Sequence, residues 1–168
     1  MTTNELFDTG IINAIKDVLL MRKETLAVGE SVTSGLLQSA FSQAEDAMKF
    51  FQGGLTAYNL GQKYRHLNIE PIHALSCNCV SDKVASGMAL NSCLLFNSDW
   101  GLGITGFASP VPESGNEVFA WYAIAYRNEL VLRKKIEAAK GEPLEVQLFY
   151  VRHLLQDLND HLKTRSGG

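Results

Sequence analysis

The chain is poor in the features that would declare a chemistry outright. It has three cysteines, Cys77, Cys79 and Cys93. An odd count, with two of them one residue apart, is a poor disulfide framework and suits a reducing compartment. His66, His73, Cys77 and Cys79 are spaced like no common zinc ribbon or finger, so the thiols read as buried or surface groups and no metal is expected. Basic charge is not in excess: 15 Lys and Arg face 18 Asp and Glu, a formal net charge of -3. That argues against a nucleic-acid partner, which calls for a basic patch. No apolar run approaches the length of a membrane span. The opening "MTTNELFDTG" is polar and acidic, unlike a secretory signal. No membrane partner and a cytoplasmic location are the expectations. Low-complexity tracts, internal repeats and linkers are also missing, so 168 residues, 46% of them hydrophobic, read as one globular domain with a real core. Its ends, residues 1–3 and 164–168, are expected to fray.

What remains is an alternation of periods. "NELFDTGIINAIKDVLLMRKE" carries Leu6, Ile11, Ile12, Ile15 and Leu19 at helical spacing, interrupted by Gly10. "TLAVGE" is a short apolar strand, followed by a helix over "SGLLQSAFSQAEDA". "GGLTAYNL" predicts a second strand and "LGQKYRHLN" a helical segment ending near Pro71. "SDKVASGMALNSCLLFNS" predicts a helix with Ser81 as N-cap, and "DWGLGIT" a third strand. A Gly, Pro and Ser-rich loop leads to two strands joined at "RNE". An amphipathic helix with Pro143 near its start closes the chain. Strands alternating with helices predict a three-layer α/β/α sandwich, and the late hairpin makes its mostly parallel sheet mixed.

In such folds ligands bind beyond the carboxyl ends of the parallel strands. Those ends carry Glu30 and Ser31, Tyr58 and Asn59, Thr105 and Gly106. A serine needs a base to become a nucleophile. None of His66, His73, His153 and His161 falls beside a strand end, so Lys63 is the better candidate, a Ser–Lys pair being a known form of the arrangement. The lysine must then be neutral, which takes burial or a neighbouring cation. Taken singly, each residue has a plainer reading: Thr33 or Ser34 as the cap of the next helix, Tyr58 as a half-buried strand tyrosine, Thr105 as a loop cap, Lys63 as a solvated turn residue.

The order of the motifs adds a further reading. "ESVTSG" (Glu30 to Gly35), "GGLTAYNLGQK" (Gly53 to Lys63), "CVSDKVA" and "TGFASP" (Thr105 to Pro110) follow one another as in the CinA C-terminal domain family, which the chain resembles from about Asn4 to His161. The active members of that family are nicotinamide-mononucleotide deamidases. The resemblance implies Ser31 as nucleophile, Lys63 as its base and Tyr58 as a third catalytic group. It implies substrate contacts from Glu30, Thr33, Ser34, Gly35, Asn59, Thr105 and Gly106, with backbone N–H groups near Thr33 to Gly35 receiving the oxyanion. It further implies a nicotinamide-type small-molecule ligand, no cofactor or metal, and a homodimer. The chain departs from the family at Val32, Ser34 and Ser109. It also departs where the last helix tends to bring arginines, having Pro143, Gln147 and Leu148 there beside Glu142 and Glu145. Arg152, one or two turns further on, could compensate by swinging toward the pocket. Two functions are therefore carried forward: an amidohydrolase, and a catalytically degenerate paralogue that keeps the pocket as a binding or interaction module. A purely structural dimer is a weaker third.

Overall fold

The computed structural model describes residues 5–165. The frayed ends expected at 1–3 and 166–168 lie outside them, whereas Thr164 still belongs to the last helix. In chain order the elements are α1 (Thr9–Arg22), β1 (Leu26–Glu30), α2 (Leu36–Ser42), β2 (Phe51–Thr56), α3 (Leu60–Leu67), α4 (Pro71–Ser76), α5 (Asp82–Phe96), β3 (Trp100–Gly106), β4 (Phe119–Tyr126), β5 (Glu129–Glu137) and α6 (Pro143–Thr164).

The five strands form one sheet in the order β2-β1-β3-β4-β5. β1 pairs parallel with both β2 and β3, and the hairpin adds β4 and β5 antiparallel. Arg127 and Asn128, both at positive φ (47° and 64°), make the two-residue turn whose twist suits a hairpin. From β1 the chain runs outward to β2 and then returns past β1 to reach β3. The crevice between β1 and β3 is therefore a topological switch point, where open α/β sheets take ligands.

The two faces of the sheet are unlike. One presents Leu26, Val28, Trp100, Leu102, Ile104, Tyr122 and Ile124, buried against α1, α2 and α6. The other presents Ala27, Gly29, Gly101, Gly103, Ala123 and Ala125 toward α5, the long helix on that side. The small residues let α5 lie almost backbone against backbone. A Cβ on Gly101 would fall 2.2 Å from the carbonyl oxygen of Ala89, and one on Gly103 would fall 2.4 Å from that of Ala85. α3 and α4 lie on the same side as α5, so the sheet is covered on both faces as the alternation of elements predicts.

Three local expectations shift. The helix after β1 is only seven residues long and gives way to a 3₁₀ turn at Ala47–Lys49. Positive φ at Asp46 (59°) marks that break, which the helical spacing of "SQAEDA" hides. α4 is an extra helix, started by Pro71 and capped by Glu70, whose carboxylate accepts from the amides of Ile72 and His73. α1 begins after its cap Asp8, which leaves Leu6 outside it.

Because the close approach of α5 is backbone-limited, Gly101→Ala is expected to cost about 1–3 kcal/mol or more through overpacking. Gly61→Ala, at a helix start with only Asn59 Oδ1 nearby at 3.7 Å, is expected to be neutral or to stabilise by roughly 0.4–1 kcal/mol. Urea unfolding of the two variants checks the contrast, and equal stabilities would contradict it.

Candidate active site

Parallel pairing aligns the ends of β1, β2 and β3, with Glu30 opposite both Thr56 and Ile104. Ser31 stays tied to this edge through its amide, which donates to Ile104 O at 3.0 Å, and the amide of Ala57 donates to Glu30 O at 2.9 Å. Asn59 caps α3 by accepting from the amide of Gln62 at 3.0 Å. That places Lys63 one turn into the helix, its side chain running back under the edge. Lys63 Nζ donates to Ser31 Oγ at 2.8 Å and to Ala57 O at 2.9 Å.

Lys63 is 1% exposed, and no carboxylate forms an ion pair with it among the described residues. Burial pushes its amine below the ordinary lysine value of 10.5, and the nearby Cys79 opposes that shift. Burial in turn raises the Cys79 thiol, favouring the uncharged thiol and so removing a charge that would hold the lysine protonated. When Lys63 is neutral, the 2.8 Å contact reverses: Ser31 O–H donates to the Nζ lone pair while an amine N–H keeps the bond to Ala57 O. This is the geometry of a hydroxyl beside a base held by a third group.

The turn after Ser31 is shaped by Glu30, which is fully buried. Its Oε1 accepts from Thr33 Oγ1 at 2.6 Å and from the Leu37 amide at 2.8 Å. Its Oε2 accepts from the Gln38 amide and from Gln38 Nε2, both at 3.0 Å. The cap of α2 is thus a carboxylate six residues before the helix, and neither Thr33 nor Ser34 fills that role. The N-cap position itself is Gly35, at φ 96° and without a side-chain hydrogen bond. Ser34, also at positive φ (47°), is exposed.

Ser31 and Lys63 open into a cavity of about 660 Å³. Of the residues singled out in the sequence, Tyr58, Asn59, Thr105 and Gly106 line it as well, whereas Glu30, Thr33, Ser34 and Gly35 do not. Tyr58 stands at the rim, 66% exposed, and Lys63 is oriented by the Ala57 carbonyl rather than by this phenol. Thr105 Oγ1 donates to Cys79 O at 2.7 Å. It pins a turn in which Asn78 and Cys79 both have positive φ (52° and 63°). Asn78, Cys79, Phe107 and Gln147 complete the walls. The sequence marks the cysteines as no more than buried or surface thiols, and no sequence pattern announces a backbone carbonyl such as that of Ala57. Gln147 Nε2 donates to Val32 O at 2.8 Å, bracing the turn from α6. Arg152 lines a separate cavity of about 360 Å³ beside α1 and does not reach this site. His73 Nε2 sits 2.9 Å from Ser81 Oγ and 3.7 Å from Cys77 Sγ. The described residues hold no group of three or more His, Cys, Asp or Glu disposed to bind a metal ion. No described helix is long and apolar enough to cross a membrane.

The CinA C-terminal domain model matches residues 8–162. The chain belongs to the CinA C-terminal domain family. A CinA-like protein of Picosynechococcus is 37% identical over 112 residues, 67% of this chain and 27% of its own length. One from Prochlorococcus marinus is 31% identical over 154 residues, 88% of this chain and 35% of its own. The chain thus spans about a third or less of the length of these relatives. The solved competence-damaged protein (CinA) superfamily protein of Escherichia coli superposes with a TM-score of 0.85 at 26% identity, covering 94% of this chain and 92% of that one. The α/β fold with its mixed sheet is the CinA fold.

Two outcomes follow from this geometry. Glu30→Ala strands the Leu37 and Gln38 amides and the Thr33 hydroxyl, so it is expected to cost roughly 3 kcal/mol or more, at about 1–3 kcal/mol per unsatisfied buried group. Guanidinium unfolding measures it, and a loss under 1 kcal/mol would contradict the cap. The second concerns pH. Between the lowered pKa of folded Lys63 and its unfolded value near 10.5, the unfolded chain binds more protons. Stability therefore rises with pH across that window. Lys63→Met should flatten the rise relative to the wild-type chain in denaturant titrations from pH 7 to 10; parallel curves would contradict it.

Proposed function

We propose that the protein is an amidohydrolase that releases ammonia from a carboxamide of the nicotinamide type, with Ser31 as nucleophile and Lys63 as general base. The observation that carries this reading is the 2.8 Å contact between Lys63 Nζ and Ser31 Oγ. It is made by a lysine buried without a carboxylate partner, at the mouth of a cavity on the sheet's carboxyl edge.

The chemistry runs in two halves. Lys63, as the neutral amine, takes the Ser31 hydroxyl proton as Oγ bonds to the amide carbon. The developing oxyanion meets the turn amide of Val32, a residue of the cavity wall whose N–H has no backbone carbonyl partner among the described residues. The amides that open α2 are spent, that of Leu36 on the Thr33 carbonyl and those of Leu37 and Gln38 on Glu30. The tetrahedral species collapses, the C–N bond breaks, and the Lys63 ammonium returns the proton to the departing nitrogen, which leaves as ammonia. Lys63 then takes a proton from water as that water attacks the Ser31 ester. Breaking the C–O bond and returning the proton to Oγ frees the carboxylic acid product. A lysine whose affinity for protons is lowered by burial suits both directions of transfer better than an exposed one.

The competing reading, a pocket that binds without turnover, draws on one feature: apart from Lys63, no charged residue lines the cavity. Ammonia release from nicotinamide compounds decides between the two. Ser31→Ala is expected to abolish release, at a stability cost of roughly 1–3 kcal/mol because the buried Lys63 amine loses one of its two partners. Wild-type-like turnover in that variant would place the nucleophile elsewhere, and background release from the wild-type chain would favour the binding pocket. Because the base must be neutral, kcat/KM is expected to rise as pH climbs through the lowered Lys63 pKa. A rate that falls with pH across that range would contradict the role given to Lys63.

A further inference from the structure

The charge around the cavity restricts what accompanies the amide. We infer that the site takes a carboxamide substrate without a phosphate, one whose tail is uncharged or cationic, such as the riboside of nicotinamide in place of its mononucleotide. This inference rests on the amide-hydrolysis reading above.

The lining of the 660 Å³ cavity contains one charged residue, Lys63. That amine lies 1% exposed, is engaged by Ser31 and Ala57, and must be neutral to act. It supplies no cation to a distant part of the ligand. The remaining polar groups of the walls are neutral: Asn59, Asn78, Ser109, Gln147 and the Tyr58 hydroxyl. Such groups suit sugar hydroxyls, which donate and accept, better than a dianionic phosphate, for which charge-assisted bonds from Arg or Lys are the strong contacts.

Pro143, in the wall, directly follows Glu142, the N-cap of α6, and Glu145 lies in the first turn of that helix. Asn78, also in the wall, donates through Nδ2 to the backbone oxygen of Glu113. None of these neighbouring positions supplies a cation for a phosphate. Arg152, the basic residue of α6 nearest in sequence, faces the separate 360 Å³ cavity. The ring of a nicotinamide riboside is itself a pyridinium cation, and the aromatic side chains Tyr58 and Phe107 in the wall offer it the attraction of their π systems.

Steady-state ammonia release by the full chain, with nicotinamide riboside and nicotinamide mononucleotide compared at one ionic strength, tests the inference. The expected result is a kcat/KM for the riboside at least equal to that for the mononucleotide. A preference for the mononucleotide would overturn the inference and leave amide hydrolysis standing. If neither compound is hydrolysed, amide hydrolysis falls by itself. Calorimetric titration of the Ser31→Ala protein with the same two compounds then decides the charge question by the same criterion, and binding of neither overturns it. Ser109→Lys places a cation in the wall of the cavity. It is expected to move the ratio at least tenfold toward the mononucleotide; an unchanged ratio would mean that the tail does not meet this wall, which also overturns the inference.

Discussion

A single buried carboxylate governs the carboxyl edge of the sheet. Glu30 ends the central strand and spends both oxygens on the turn and helix that follow it, taking two amides, a hydroxyl and a side-chain amide. An unpartnered carboxylate in that place would be very costly; with four donors it becomes the anchor that sets the path of residues 31–35. The arrangement also divides labour among the hydroxyls. Thr33 is consumed as a donor to Glu30, whereas Ser31, on the other side of the chain, is left to meet Lys63. The cap therefore fixes the backbone from which the serine projects.

The amine on the far side of that contact depends on packing. Lys63 is held by the start of α3, by the Ala57 carbonyl just beyond β2, and by Thr105 and Cys79 closing the opposite wall. Desolvation and the lack of a counter-charge act in the same direction on its proton. Gln147 of α6 completes the frame by reaching the Val32 carbonyl. The same position that leaves the pocket without a further cation thus serves as a brace, which is a structural use for the departure seen in the last helix.

Much of this was legible in the sequence, for physical reasons that vary by element. The short apolar strand at Leu26–Glu30, the strongly periodic α5 with its Ser81 cap, and the hairpin around Arg127 and Asn128 each carry a local signal. Together they state an α/β sandwich with a mixed sheet. The pairing of Ser31 with Lys63 was foreseeable from strand ends and motif order, because parallel strands bring their termini to one edge. What could not be read was set by longer-range contact. The length of α2 depends on where Asp46 turns, and its cap on a carboxylate seven residues before the first amide it binds. The hold on Lys63 is a carbonyl, which every residue possesses and no pattern reveals. Tyr58 carried a strand-like context yet stands exposed beyond the strand, because β2 stops at Thr56.

The glycine and alanine seam between α5 and the sheet has an evolutionary consequence. Side chains that lack rotamers cannot repack, so this contact admits almost no compensating substitutions and behaves as a fixed datum for the whole domain. Conformational choice is left to the side chains in the walls and lip of the cavity. A lineage can then exchange what it recognises at that lip, one residue at a time, while the distance between hydroxyl and amine stays the same.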